Sequence, residues 1–220
     1  MNFMTSRTNS SNITRLREAL KEHAAAYQVQ LTEEILERLS EYYNLINTWS
    51  PRLHLVAPCS PEEFATRHLL ESLLLVRYLP EGAEVADIGS GAGLPIIPCL
   101  LARPEIRATL IESSKKKALF LREALKQAGS GISATVIAER FQEVRIAKVE
   151  FVTCRALERL TETLPDLVEW SPPSSTLLLF AGEALRQEIQ DTGLSITELR
   201  IPQSERRFLI VARRKNLFQQ

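Results

Sequence analysis

The stretch Glu84-Val-Ala-Asp-Ile-Gly-Ser-Gly-Ala-Gly-Leu94 restricts what this chain can fold into more than any other. Val85–Ile88 is a short apolar run interrupted by one carboxylate, and it reads as a buried strand. Gly89, Gly91 and Gly93 follow at alternate positions and read as a sharp turn. Leu94–Ala102 then reads as a helix. A strand that runs through a glycine-rich turn into a helix belongs to an open α/β sheet. In such sheets ligands bind beyond the carboxyl ends of the strands, at the point where the strand order reverses.

The details of the turn narrow the ligand. A dinucleotide fingerprint G-x-G-x-x-G needs a third glycine at position 94, which is Leu94. The phosphate-loop pattern ending in Lys-Ser or Lys-Thr is absent. Asp87 stands two residues before Gly89, where its charge would repel a pyrophosphate. A ligand with a cationic centre and ribose hydroxyls suits the turn better, and S-adenosylmethionine has both. Glu112 ends the next strand, roughly twenty residues on, where an acid normally accepts hydrogen bonds from ribose hydroxyls. The alternatives are a tight turn with no ligand and an exposed carboxylate at a strand end.

The remainder of the chain fits that frame. Residues 13–28 and 32–49 carry apolar side chains at helical spacing, the second with Thr32 as its N-cap. Ser60-Pro-Glu-Glu63 is a capping box that opens a helix reaching about Leu79. Strand-like and helix-like runs then alternate. Strands are expected at 108–112, 134–138, 151–153 and 176–180, and helices at 115–128, 157–169 and 183–191, with a short polar helix after the third strand. The last two strands, 196–201 and 208–213, are joined by too few residues for a crossover and should pair antiparallel. The expected fold is α/β: a Rossmann-like, mostly parallel seven-stranded sheet with an antiparallel last strand, preceded by a helical extension. The expected divisions are a disordered lead over residues 1–12, the extension over 13–80 and the α/β unit over 81–220, packed as one body.

Composition bears on the partner and the compartment. Lys and Arg total 27 and Asp and Glu total 27, so no global charge draws the protein to nucleic acid or membrane, and RNA binding requires a local patch. Cys59, Cys99 and Cys154 form neither a disulfide framework nor a zinc pattern. No apolar run is long enough to span a bilayer, and no metal site is expected. These features suit a cytoplasmic monomer.

Several cations gather near the expected ligand edge. Lys115, Lys116 and Lys117 open a helix, against its dipole, as though a polyanion approaches there; a solvated charge run is the alternative. Arg140, Arg155, Arg206 and Arg207 follow the third and fourth strands and open the last one. His68, beside Arg67 and Glu71, could border the site or be a half-buried structural residue. Cys154 could be the nucleophile of a pyrimidine C5 methyltransferase, or a small core residue. A binding module without catalysis is a further alternative.

Taken together, Arg67-His-Leu-Leu-Glu-Ser72, Asp87-Ile-Gly-Ser-Gly-Ala-Gly-Leu-Pro95, Glu112-Ser-Ser-Lys-Lys-Lys117, Glu139-Arg140 and Cys154-Arg-Ala156 resemble the RsmG/GidB family. The resemblance spans about residues 32 to 213. Glu71 and Glu112 stand where the family usually has Asp, Cys154 where it has Ser, and Ala181 where Lys is common. The resemblance implies methyl transfer from S-adenosylmethionine to N7 of a guanine in 16S rRNA of the small ribosomal subunit, the family's target being position 527 in the 530 loop. It implies a cofactor site at Asp87, Gly89, Gly91, Gly93, Leu94, Glu112, Ser113, Glu139, Arg140 and Arg155. It implies roles at the target base for Lys116, Arg140 and Arg155, and RNA contacts from Lys115, Lys116, Lys117, Arg206 and Arg207.

Overall fold

A computed structural model describes residues 2–146, 148–155 and 160–215 of the chain. Seven strands form one sheet: β1 (Glu84–Ile88), β2 (Arg107–Ile111), β3 (Ser133–Ile137), β4 (Phe151–Cys154), β5 (Thr176–Gly182), β6 (Ser195–Arg200) and β7 (Arg207–Arg213). Their order is β3-β2-β1-β4-β5-β7-β6. Strands β1 to β5 run parallel, and β7 is antiparallel to both β5 and β6. The β6–β7 hairpin is the outcome expected for a connection too short to cross over the sheet. The chain order reverses between β1 and β4, which places a crevice beyond the end of β1.

Side-chain alternation on β1 divides the interior in two. Val85 faces a core shared with the N-terminal helices, whereas Ala86 and Ile88 face a second core beneath the opposite helices. The first core joins Leu16 and Leu20 of α1 (Asn2–His23), Leu36, Leu39 and Ile46 of α2 (Glu33–Leu53), and Phe120 and Leu121 of α6 (Lys115–Ala128). The helical extension therefore shares its buried surface with the sheet. The second core takes Leu164 and Leu167 from α7 (Leu160–Trp170) and Leu185 and Ile189 from α8 (Glu183–Asp191).

Helix α1 corrects one expectation. The segment 1–12, read as a disordered lead, is helical from Asn2 onward. No glycine or proline interrupts Asn2–His23, and the docking of Leu16, Ala19 and Leu20 seeds a helix that extends outward. The helix expected at Leu94 begins at Ile96, as α5 (Ile96–Ala102), after the glycine turn is complete. The helix expected from position 157 is described from Leu160; residues 156–159 lie outside the described chain.

The helix expected over 60–79 is present but not uniform. Ser60 caps α3 (Pro61–Phe64) by accepting the Glu63 N–H at 3.2 Å. A π-helical stretch, Ala65–Leu70, follows, then α4 (Glu71–Leu73) and a 3-10 turn, Leu74–Arg77. Single π-turns inside helices often mark functional positions. This one carries Arg67 and His68.

Candidate active site

The turn after β1 is built from main-chain bonds. The N–H groups of Gly89 and Ser90 both donate to the Ile111 carbonyl, at 2.9 and 3.2 Å, which ties the turn to β2. Gly93 donates to Ser90 at 2.6 Å, and Ile97 donates to Gly93 at 2.8 Å, leading the chain into α5. Gly93 has φ of 83°, and a Cβ there would lie 2.4 Å from Ile97 Cδ1 and 3.0 Å from the Tyr42 hydroxyl oxygen. Only glycine satisfies both the dihedral and the space. The Tyr42 hydroxyl of α2 donates to the Ala92 carbonyl, so the helical extension buttresses the turn.

Glu112 joins this turn to the next helix. Its Oε2 accepts the Gly91 N–H at 2.8 Å, and its Oε1 accepts the Ser114 N–H at 2.7 Å. Ser114 is the N-cap of α6 and accepts the Lys117 N–H at 3.4 Å. Each carboxylate oxygen keeps a second lone pair, so the fixed Glu112 can still accept from ribose hydroxyls.

Beneath the turn lies Asp87. Its carboxyl group is fully buried, and neither oxygen has a hydrogen-bond partner. Burial pushes its pKa well above the usual carboxylate range, and the negative charge of Glu112 adds to the effect. An orphaned buried carboxyl under a backbone cradle fits a ligand that carries positive charge, which S-adenosylmethionine does. The turn, Glu112 and Asp87 thus fit that cofactor on three separate grounds. No group of His, Cys, Asp and Glu among the described residues is arranged to hold a metal ion.

The other side of the site is held by Arg155, at the end of β4, with 13% of its side chain exposed. Its guanidinium donates to the carbonyls of Arg67 and His68, the latter at 3.4 Å, and to Ser72 Oγ at 3.3 Å. It also pairs with Glu71 at 3.3 Å. Arg207 of β7 binds the second oxygen of Glu71 and donates to Ser204 Oγ at 3.0 Å. Burial raises the Glu71 pKa, and the flanking guanidiniums offset part of that. Burial and the neighbouring cations Arg155, Arg67 and Arg207 drive the His68 pKa down to about 3, so its imidazole is neutral.

A cavity of about 770 Å³ opens between these two sides. That is ample for a nucleoside-sized ligand with a second group beside it. Of the residues that the resemblance implies for the cofactor, Gly89, Gly91, Leu94, Glu112, Ser113, Glu139, Arg140 and Arg155 line it. Asp87 and Gly93 do not: both sit under the turn and shape it from below. Lys117 lines the cavity, but Lys115 and Lys116 are exposed outside it. Adjacent residues on a helix diverge by about 100°, which turns Lys116 to solvent and corrects its placement at the target base. Arg206 is exposed, whereas Arg207 is committed to Glu71. Cys154 is fully buried in the second core and absent from the cavity wall, because alternation along β4 turns it away. The pyrimidine C5 reading therefore has no thiol at the site.

Known proteins are similar to this chain in sequence and in fold. A family described as GidB, rRNA small subunit methyltransferase G, matches residues 35–215. The chain belongs to that family. Proteins named Ribosomal RNA small subunit methyltransferase G are similar to it along most of its length. The one from Xanthomonas axonopodis pv. citri is 36% identical over 184 residues, covering 80% of this chain and 85% of the relative. The one from Halorhodospira halophila is 33% identical over 182 residues, covering 83% and 86%. Among solved structures, the magnesium protoporphyrin IX methyltransferase of Synechocystis PCC 6803 with bound SAM superposes with a TM-score of 0.57 at 20% identity, over 84% of this chain and 98% of that one. A tRNA methyltransferase of B. subtilis gives 0.54 at 15%, over 66% and 65%. At these identities the structural likeness speaks for the fold, which is that of the class I methyltransferases.

The main feature that sequence reasoning underweighted is the wall from the extension. Leu55, Val56, Arg67 and His68 all line the cavity. The Arg-His pair within a capped amphipathic helix was the available signal, but the π-turn that presents it has no local sequence mark.

Proposed function

We propose that this protein transfers the methyl group of S-adenosylmethionine to N7 of a guanine in 16S rRNA, the guanine of the 530 loop named above. Membership of the rRNA small subunit methyltransferase G family supports the reaction class and the substrate. The observation that carries the cofactor site is Glu112, whose two oxygens are fixed by the Gly91 and Ser114 N–H groups at the mouth of the cavity.

S-adenosylmethionine supplies an electrophilic methyl group on a sulfonium centre. The residues of the chain then have three tasks. The glycine turn offers close main-chain approach, Glu112 accepts from the ribose, and Asp87 offers an unpartnered carboxyl group below the turn. Lys117, Arg140 and Arg67 place positive charge at the cavity for RNA phosphates, with Lys115 and Lys116 extending the patch outside it. Guanine N7 carries an available lone pair at neutral pH, so no general base is required, and catalysis is mainly alignment for in-line displacement. We place the protein in the cytoplasm, as a monomer whose extension (residues 13–80) and α/β unit (81–220) act together on the small ribosomal subunit; no helix among the described residues is long and apolar enough to cross a membrane.

Calorimetric titration with S-adenosylhomocysteine tests the cofactor site. Glu112→Ala should weaken binding by about tenfold or more, as expected for loss of charge-assisted bonds. Unchanged affinity would remove Glu112 from the site.

A further inference from the structure

His68 lines the cavity but has no task in the mechanism above. Its surroundings determine what it can do. It lies within the π-helical stretch, where Glu71 N–H reaches back five residues to the Thr66 carbonyl. Spacing of this kind displaces carbonyls from ordinary helical bonding, and the Arg155 guanidinium picks up those of Arg67 and His68. The same guanidinium approaches His68 Nδ1 at 3.4 Å.

An arginine side chain has donors and no acceptor. A lone pair on Nδ1 suits this contact with Nη2, which also donates to Arg67 and Glu71, and the ring proton then sits on Nε2. A proton on Nδ1 would set donor against donor, and a second ring proton would put a cation among Arg67, Arg155 and Arg207. The Phe64 ring, with its centroid 5.0 Å from that of the imidazole, fixes the ring from the side. Nε2 has no protein partner among the described residues, and it is not among the buried polar atoms left unsatisfied. The N–H therefore opens to the cavity that His68 lines.

A neutral, singly protonated donor held in one orientation is suited to reading a base edge. On its N7 side guanine presents two acceptors, N7 and O6, whereas adenine presents N7 and an N6 amino donor. A donor aimed at O6 leaves the N7 lone pair available and rejects adenine, whose amino group would meet the imidazole N–H.

We propose that His68 is a specificity-determining residue: its Nε2–H donates to O6 of the acceptor guanine, in the geometry fixed by the Arg155-supported π-turn. This assignment rests on the guanine-N7 reading of the site. It adds the element that tells guanine from other purines, which neither the glycine turn nor the surrounding cations can do.

The test compares acceptors that differ at O6, and with it at the N1 proton, while both keep N7. Small subunits are reconstituted with 16S rRNA carrying either guanosine or 2-aminopurine riboside at the target, the latter keeping N7 but lacking O6. Wild-type enzyme should prefer guanosine by about tenfold or more in kcat/KM, the scale of a good base contact. His68→Ala should lose that preference by slowing on guanosine alone, and His68→Gln, which keeps an N–H donor, should recover part of it. Affinity for S-adenosylhomocysteine should be unchanged in both variants. Equal slowing on both acceptors overturns the assignment, as does weakened S-adenosylhomocysteine binding, which would make His68 a cofactor residue. Nitrogen-15 NMR of the imidazole supplies a check that needs no turnover: the Nε2–H tautomer is expected, and an Nδ1–H tautomer contradicts the proposal. If wild-type enzyme forms no N7-methylguanosine, the reading of the reaction fails first and the assignment falls with it. If wild-type methylates N7 but ignores O6, the assignment alone fails.

Discussion

At the scale of single residues, the site is a set of groups whose local cost has a use. Gly93 is the clearest steric case. Gly93→Ala adds a Cβ 2.4 Å from Ile97 Cδ1 at φ of 83°. The variant should lose about 2–4 kcal/mol of stability in urea melts, from the left-handed backbone and the overpacked contact together. Asp87 is the clearest electrostatic case. Burial raises its folded pKa well above the usual 3.8 and Glu112 adds negative charge, with nearby Ser90 offsetting part of the rise. A raised folded pKa means that Asp87 favours the folded state below about pH 3.8 and loses that advantage as pH rises through its folded value. Asp87→Asn removes the titration. The melting temperature of the variant relative to wild type should therefore rise between pH 4 and pH 8, while affinity for S-adenosylmethionine falls. A gap that narrows with rising pH would contradict this sign. The carboxyl was visible in the sequence as an acid next to a glycine turn. Its burial under the turn was not, because that depends on α2 and Tyr42 closing over it.

At the scale of elements, the strands and most helices were legible because their patterns are local. Largely apolar runs marked the central strands, and Ser60-Pro-Glu-Glu63 marked a helix start. Residues 65–70 were legible as helix but not as π-helix. What holds that stretch open is Arg155, which arrives from β4 and supplies donors to its carbonyls. No window of sequence contains both partners. Lys116 and Lys117 show the same limit at finer grain, since the triplet marked the right helix end but not which lysine faces the cavity. Arg155→Ala should cost about 3–5 kcal/mol in chemical denaturation, because it leaves Glu71 buried with one cation instead of two. A loss below about 1 kcal/mol, the scale of an exposed pair, would mean that Arg155 does not support this wall.

At the scale of the whole molecule, the helical extension supplies one wall of the site and the sheet supplies the other. Tyr42 supports the glycine turn, and the π-turn presents His68 and Arg67 across the same cavity that Gly91 and Glu112 line. The net charge is zero, so the proposed function requires a local basic surface at this mouth to meet RNA, since the molecule as a whole has no excess positive charge. The most direct measurement is position mapping of the product. Small subunits lacking the modification are incubated with the enzyme and S-adenosylmethionine, and the 16S rRNA is cleaved chemically at N7-methylguanosine. The account predicts one new cleavage, at the guanine of the 530 loop, lost with Glu112→Ala. A methyl group on another atom or base, or the same cleavage from the Glu112 variant at an undiminished rate, would contradict it.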